Sequence, residues 1–275
     1  MNSITLKAYG KINLSLNITG LRGKFHTLDS VVASVSVCDT ITVTKRNDKR
    51  VSLTFNAPFT PQNNTVNLAV NELISRFGEF GADITVDKRL PLAGGMGGSS
   101  ADAAGVIVAL CKLYGFGGDG LAASAAVGSD VLYMTRGGYA RLMGIGDEVQ
   151  FFDCKARHSL VYICGDGVLT SRVYSQYDSL GGDGCVDNDR LISALKEGKK
   201  PILGNMLTRS ACSLSSQIQK NLDALEKINL RPSMTGSGST VYALSDCPED
   251  DVAKLKELGI TAHTAVTLPF GIEFI

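Results

Sequence analysis

The sequence predicts an α+β protein, because segments with strand character and segments of helical period follow one another along its 275 residues. "SITLKAYGKINLSLNITG", "LDSVVASVSVCDTITVTKR" and "RVSLTFNA" alternate in polarity or are rich in β-branched residues, as strands are. "TVNLAVNELISRFGEF" repeats its apolar residues at the helical period instead. We predict two halves, residues 1–154 and 155–275, each with its own sheet.

The first half continues with the strand "ADITVDKRL", a glycine-rich segment and the helix "SSADAAGVIVALCKLYGF". Ser99 or Ser100 is placed to cap that helix, because serine hydroxyls accept hydrogen bonds from the first helical N–H groups. A further helix near "GDGLAASAAVGSD" is predicted to stop at Gly128. "DVLYMTRGGYARLMGIGDEV" then predicts a turn and a hairpin, since glycines interrupt it repeatedly.

The second half is predicted to follow a crossing segment at residues 151–157, and it opens with the strand "SLVYICGD". Helical patterns follow at residues 189–197 and 214–225. "PSMTGSGSTVYALSD" predicts a glycine turn that leads into a strand, and "EDDVAKLKEL" and "TAHTAVTL" predict a last helix and strand.

Composition limits the classes of partner. Hydrophobic residues make up 44% of the chain and charged ones 20%, with a formal net charge of zero, which argues against nucleic acid or an anionic membrane as a partner. The seven cysteines are odd in number and form no CxxC pair, so we expect reduced thiols. The N-terminus lacks the apolar core of a signal peptide, and no stretch reaches the roughly 18 apolar residues of a membrane span. We therefore expect a soluble, cytoplasmic protein.

The segment "GGMGGSSADAAG", residues 94–105, has the composition of a phosphate cradle. Its glycines allow positive φ and bring several N–H groups to one anion, and the helix that follows favours negative charge at its start. A Walker A loop is excluded, because no Gly-Lys pair precedes Ser or Thr, and the Rossmann pattern fails at its last glycine. The alternative is a flexible strand-to-helix loop with a serine cap.

Three further features suggest phosphoryl transfer. "TGSGST", residues 235–240, is a second loop of glycines and hydroxyls beside a strand. Lys11 stands inside an apolar strand, where an unpaired ammonium is costly, and Asp130 precedes an apolar run that favours a buried acid. An acid and a lysine that compensate each other's burial suit a proton acceptor pair, although a structural salt bridge is the alternative.

Together these segments resemble the GHMP kinase superfamily, and within it the family of 4-diphosphocytidyl-2-C-methyl-D-erythritol kinases. The resemblance covers most of the chain in the family's order and rests on the following segments: "GKINL", "GLRGKFHTL", "NNTVNLA", "PLAGGMGGSSADAA", "GSDVLYM", "GIGDE" and "TGSGSTVY". It implies a two-domain GHMP kinase fold: an N-terminal domain like domain 2 of ribosomal protein S5, a ferredoxin-like C-terminal domain, and an active site in the cleft between them.

The resemblance also implies roles for individual residues. Asp130 is the base that accepts the proton of the substrate's 2-hydroxyl, and Lys11 stabilises that acid and the transferring phosphoryl group. ATP is the phosphoryl donor with Mg²⁺ near Ser100 or Ser99, and Asn64 lies at the adenosine end. The residues implied to bind the ATP phosphates are Pro91, Gly94, Gly95, Gly97, Gly98, Ser99 and Ser100.

For the acceptor, the resemblance implies a small molecule that carries a cytidine diphosphate. Phe25 stacks on the cytosine ring and His26 reads its edge, with a second aromatic from Tyr174 or Tyr177. Asn13, Gly236 and Ser237 complete the implied substrate site. We expect a monomer or weak homodimer without nucleic-acid or membrane partners.

The sequence departs from the family pattern at several positions. Phe25 replaces the usual Tyr, the loop before His26 is one residue shorter, and Gly10 stands where Ala is common. The phosphate loop has Ser-Ser-Ala where Gly-Ser-Ser is usual, and Leu132 replaces a Pro. Two alternatives therefore stay open: a GHMP kinase of another small alcohol or phosphate ester, and a nucleotide-binding protein without catalysis.

Overall fold

The structure, a computed structural model, describes residues 1–57, 64–154 and 156–275. The strands are β1 (Ser3–Asn13), β2 (Ser15–Arg22), β3 (Phe25–Lys45), β4 (Val51–Asn56), β5 (Ala82–Asp87), β6 (Tyr139–Gly144), β7 (Glu148–Phe152), β8 (Ser159–Ile163), β9 (Gly204–Asn205), β10 (Pro232–Met234), β11 (Val241–Leu244), β12 (His263–Leu268) and β13 (Ile272–Phe274). The helices are α1 (Thr65–Phe77), α2 (Gly98–Tyr114), α3 (Gly117–Ala122), α4 (Ser124–Val127), α5 (Ser129–Arg136), α6 (Thr170–Leu180), α7 (Asn188–Lys196), α8 (Thr208–Leu214), α9 (Ser216–Lys227) and α10 (Pro248–Glu257). The predicted α+β class is confirmed.

The sheet is built around β3, a strand of 21 residues that pairs with β1, β2, β5, β6 and β12. Strand β12 pairs with β8 over His263–Val266 and then with β3 at Thr267 and Leu268. The expectation of two separate sheets is therefore wrong, because one strand hydrogen-bonds to both. The last strand, β13, returns to pair with β1 in the first half.

The larger hydrophobic core lies between this sheet and α2, whose residues are mostly buried. Gly105 allows the close approach, since a Cβ there would lie 2.4 Å from Ile41 Cδ1 and 3.0 Å from Leu6 Cδ1. A second core joins α8, α9 and α10 to β8, β10 and β11. The two cores flank the point where the glycine-rich loops of the two halves meet.

Several elements differ from the sequence prediction, and α8, β9 and β13 are among those that it did not include. The segment "DVLYMTR" forms helix α5 rather than a turn, because Val131, Tyr133 and Met134 bury one helical face together. Helix α6 was not predicted, and it buries only Val173. For α5, tertiary burial rather than local propensity decides the structure.

The division at residues 154 and 155 stays a prediction, and Lys155 lies outside the described residues. All seven cysteines carry thiols without disulfides, as expected. Within the described part of the chain, no helix has both the length and the apolar character needed to cross a bilayer.

Candidate active site

A cavity of about 610 Å³ opens between the glycine-rich loops of the two halves. Its volume lies within the range of small-molecule sites. All the predicted site residues except Phe25 and His26 line it: Lys11, Asn13, Asn64, Pro91, Gly94, Gly95, Gly97, Gly98, Ser99, Ser100, Asp130, Gly236 and Ser237. Residues separated by more than 200 positions in sequence thus share one site.

The phosphate-loop segment, residues 94–100, ends at the start of α2. Gly97 is the N-cap of that helix, in the left-handed conformation with φ 73°, and no side chain caps it. The prediction that Ser99 or Ser100 caps α2 is therefore wrong, because the N-cap is Gly97 and the helix begins at Gly98. Both serines lie in the first turn instead, where backbone N–H groups and hydroxyls together favour an anion.

Gly95 brings the phosphate-loop segment against the second loop. Its φ is +75°, and a Cβ there would lie 2.1 Å from the carbonyl oxygen of Thr235. The Thr235 hydroxyl donates to the carbonyl oxygen of Gly95 at 3.1 Å, and Thr240 N donates to the carbonyl oxygen of Gly94 at 3.2 Å. Only glycine fits at a contact this close, so the two loops form one wall.

The predicted acid and lysine face each other across the cavity. Lys11 Nζ lies 3.7 Å from Asp130 Oδ2, and it donates to Asn13 Oδ1 at 2.6 Å. Lys11 is buried, whereas 33% of the Asp130 side chain is exposed. The expectation of a buried acid is therefore wrong, and this half-exposure leaves the carboxylate open to the cavity.

Local structure explains how both groups reach the site. The pairing of β1 with β3 shifts register between Tyr9 and Lys11, and Lys11 N then donates to the carbonyl oxygen of Met96 in the phosphate loop. Asp130 stands in the first turn of α5, two residues after the N-cap Gly128. The lysine thus comes from the sheet and the acid from a helix start.

Part of the cavity wall is apolar and includes Phe55, Val66 and Leu92. Asn64 lies there as the N-cap of α1, and its side chain accepts from Asn67 N at 2.8 Å. An apolar wall beside an amide side chain suits a nucleobase. The preceding residue of the "NNTVNLA" segment, Asn63, lies outside the described residues.

Sequence reasoning missed a buried ionic cluster beneath the phosphate loop. Lys88 Nζ donates to Asp102 at 2.6 Å and to Asp39, which also accepts from the backbone N–H groups of Arg89 and Leu90. Burial opposes the charge of Lys88, but the two carboxylates outweigh it and raise its pKa. Burial raises the pKa of Asp102 to about 7, against the effect of Lys88. The position of Lys88 just before the loop was the available signal.

His26 lies beside the cavity rather than in its wall. Its Nε2 is 2.6 Å from Asp178 Oδ1, and its ring lies 4.9 Å from that of Tyr174 and 5.9 Å from that of Tyr177. Tyr174 itself lines the cavity; burial raises its pKa to about 12, and the charge of Asp130 adds to the effect. Tyr174 therefore packs against His26 and lies in the cavity wall with Asp130.

Phe25 is 55% exposed at the tip of the β2–β3 hairpin, with Lys24 Nζ 5.4 Å from its ring centroid. It lies outside the wall of the cavity in the described part of the chain. An exposed aromatic face at the hairpin tip remains accessible to a flat ligand.

Magnesium requires oxygen ligands and typically takes only one or two from the protein, the rest coming from phosphates and water. The described residues contain no group of three or more His, Cys, Asp or Glu side chains arranged for a metal. Ser100 and Asp130 nevertheless line the same cavity. A hydroxyl and a carboxylate fit an ion that a nucleotide brings with it.

Comparison with known proteins agrees with this geometry. Residues 64–139 match the model of the GHMP kinases N terminal domain. The chain is 35% identical over 262 residues to the 4-diphosphocytidyl-2-C-methyl-D-erythritol kinase of Cutibacterium acnes, covering 86% of this chain and 84% of the relative. It is 32% identical over 260 residues to that kinase of Moorella thermoacetica, covering 89% and 91%.

Solved structures show the same fold. A crystal structure of 4-(cytidine 5'-diphospho)-2C-methyl-D-erythritol kinase superposes with a TM-score of 0.78 at 26% identity, over 96% of this chain and 98% of that one. Homoserine kinase from Cytophaga hutchinsonii shares the fold, with a TM-score of 0.66 at 16% identity, over 100% and 98% of the two chains. The chain therefore has the GHMP kinase fold and belongs to the 4-diphosphocytidyl-2-C-methyl-D-erythritol kinase family.

Proposed function

We propose that this protein transfers the γ-phosphoryl group of ATP to the 2-hydroxyl of 4-diphosphocytidyl-2-C-methyl-D-erythritol, a step of the non-mevalonate isoprenoid pathway. The observation that carries the proposal is the pair Lys11 and Asp130, 3.7 Å apart in the cavity that the phosphate loop lines. The names of the relatives, which match along most of the chain, support this acceptor.

In this reaction Asp130 accepts the proton of the acceptor hydroxyl as that oxygen attacks. Its partly exposed carboxylate can reach a bound alcohol, and a positioned base contributes on the order of 10²–10⁴-fold. The ammonium of Lys11 lies 3.7 Å from the Asp130 carboxylate and stabilises negative charge on the transferring group. First-turn N–H groups of α2 bind and orient the phosphates.

Mg²⁺ is part of the proposal. Bound with the nucleotide, Mg²⁺ would neutralise phosphate charge, and the hydroxyl of Ser100, which lines the cavity, would help to hold it. Asn64 and the apolar wall around Phe55 receive the adenine. We further propose that the protein acts in the cytoplasm as a monomer or weak homodimer.

The cytidine is proposed to bind at the hairpin tip. His26, oriented by Asp178 and packed on Tyr174, offers a ring nitrogen and backbone groups to the edge of the base. The exposed ring of Phe25 stacks on its face, which is typically worth about 1–3 kcal/mol. Tyr174 is the second aromatic that we choose over Tyr177, because it also lines the cavity.

The test is ATP turnover by the purified protein with Mg²⁺ and 4-diphosphocytidyl-2-C-methyl-D-erythritol, compared with mevalonate, homoserine and no acceptor. We expect turnover with the cytidine compound only. Asp130→Asn should lower kcat by at least about 10³-fold, because the amide cannot accept the proton. Asp223→Asn, on the exposed face of α9, is the matched control and should leave kcat unchanged.

His26→Ala should raise the KM for the cytidine compound about tenfold and leave the KM for ATP unchanged, since it removes only the contact to the base. Turnover with mevalonate or homoserine instead would favour another GHMP kinase activity. ATP binding without turnover of any acceptor would favour the non-catalytic alternative.

A further inference from the structure

Asn13, the last residue of β1, is held by three groups from a single stretch of the second half. Its backbone N–H donates to the Thr235 hydroxyl at 3.1 Å, and its Oδ1 accepts from Gly236 N at 2.9 Å. The hydroxyl of Tyr242 donates to its carbonyl oxygen at 2.7 Å. Residues 235–242 thus fix both the backbone and the side chain of Asn13.

The same amide oxygen holds the ammonium of Lys11. Lys11 Nζ donates to Asn13 Oδ1 at 2.6 Å, whereas Asp130 lies 3.7 Å away. A hydrogen bond from a charged donor at this distance is strong. The Lys11 side chain is only 7% exposed, so the surrounding residues leave it few alternative conformations. The position of Asn13 Oδ1 therefore determines the position of the ammonium.

The Thr235 hydroxyl is central to this arrangement. Thr235 is fully buried, and in the described part of the chain it does not belong to the cavity wall. Its oxygen accepts from Asn13 N, and its proton reaches the carbonyl oxygen of Gly95 at 3.1 Å or Asn13 Oδ1 at 3.3 Å. Loss of this hydroxyl leaves a buried backbone N–H without its acceptor.

We propose that Thr235 is a positioning residue for phosphoryl transfer, which acts through Asn13 to set the place of the Lys11 ammonium relative to Asp130. This inference rests on the proposed kinase function and adds a relay from the second half of the chain to the proton-transfer pair. A residue of this kind changes the rate of the bound complex more than the binding of either substrate.

The experiment compares two variants of Thr235 in steady-state assays with ATP, Mg²⁺ and the cytidine compound. Thr235→Val keeps the shape and removes the hydroxyl; we expect kcat to fall about tenfold while both KM values change less than threefold. Thr235→Ser restores the hydroxyl, and its kcat should lie within about twofold of the wild type. Thermal unfolding of each variant reports how much protein is folded.

Ser210→Ala is the control. Ser210 lies in α8, is fully buried, and its hydroxyl has no hydrogen-bond partner among the described residues. Its replacement should leave kcat unchanged. An equal kcat in Thr235→Val and Ser210→Ala would overturn the inference, and so would a Thr235→Ser variant as slow as Thr235→Val.

A double-mutant cycle tests the relay itself. In an Asn13→Ala background the ammonium has lost its acceptor, so adding Thr235→Val should lower kcat by no more than about twofold. A further tenfold loss would mean that Thr235 acts independently of Asn13 and would overturn the inference. A wild-type protein without turnover would contradict the proposed function as well, whereas wild-type turnover with an unaffected Thr235→Val contradicts this inference alone.

Discussion

The backbone conformation of the phosphate loop depends on the absence of a Cβ atom at Gly95. Gly95 and Gly115 both have a φ of +75°, so a side chain at either position meets the same backbone strain. They differ in their surroundings: a Cβ at Gly95 would lie 2.1 Å from the Thr235 carbonyl oxygen, whereas nothing lies within 4 Å of one at Gly115. Comparing alanine substitutions at these two glycines therefore separates the cost of a left-handed backbone from the cost of a steric clash.

We therefore expect Gly115→Ala to lower the free energy of unfolding by about 1–2 kcal/mol, the typical cost of left-handed backbone, with the KM for ATP unchanged. Gly95→Ala should cost more than that and raise the KM for ATP at least tenfold, because the two loops must move apart. Urea unfolding and initial rates measure the two effects. Equal effects in both variants would mean that the loop contact does not matter.

At the scale of elements, the passage of β12 from β8 to β3 joins the two halves. His158 and Thr267 face each other there, with Thr267 N donating to the His158 carbonyl oxygen at 3.0 Å. The Thr267 hydroxyl accepts from His158 N at 2.8 Å, and the Tyr139 hydroxyl is 2.7 Å from it. The His158 side chain is buried, and its Nε2 has no partner among the described residues.

This burial makes stability depend on pH. Burial lowers the pKa of His158 below its ordinary value of 6.5, and the charge of Lys200 adds to the effect. Below pH 6.5 the unfolded chain therefore binds a proton at His158 that the folded chain does not. The free energy of unfolding consequently decreases as the pH is lowered, and this residue contributes at most about 1.4 kcal/mol per pH unit.

Replacing His158 by Leu should remove the contribution of this histidine to the decrease in the free energy of unfolding between pH 7 and pH 5. Urea unfolding at several pH values gives the slope, and the difference between variant and wild type cancels the other titrating groups. His263→Leu, at an exposed position of β12, is the control and should keep the wild-type slope. An unchanged slope in His158→Leu would contradict the assignment.

At the scale of the whole molecule, local sequence patterns identified residues of the candidate site, whereas contacts between residues far apart in sequence could not be predicted. The spacing of glycines and serines was sufficient to single out residues 94–100, and an isolated charge in an apolar strand was sufficient to single out Lys11; both line the cavity. The partners of His26 are about 150 residues away, Asp178 being 152 positions further along the chain, and no local pattern indicates them. Gly10 is similar: a Cβ there would meet Leu90 Cδ2 at 2.5 Å, a contact visible only in the fold.

The same limits apply to the elements. Helix α5 resembled a hairpin because valine and tyrosine also favour strands, and only the burial of Val131, Tyr133 and Met134 decides for the helix. The single sheet was missed because β12 changes partner within six residues. Tertiary contacts thus override propensity where the two halves join.

Because β12 and the contacts of Asn13 connect the halves, we expect them to unfold as one unit and to share the stabilisation by nucleotide. ATP at 100 times its Kd, without acceptor, should raise the free energy of unfolding by about 2.7 kcal/mol. Native-state hydrogen exchange should show the same gain for the slowest amides of β3, in the first core, and of α9, in the second. A gain confined to β3 would show that the second half unfolds independently and that the nucleotide binds the first half alone.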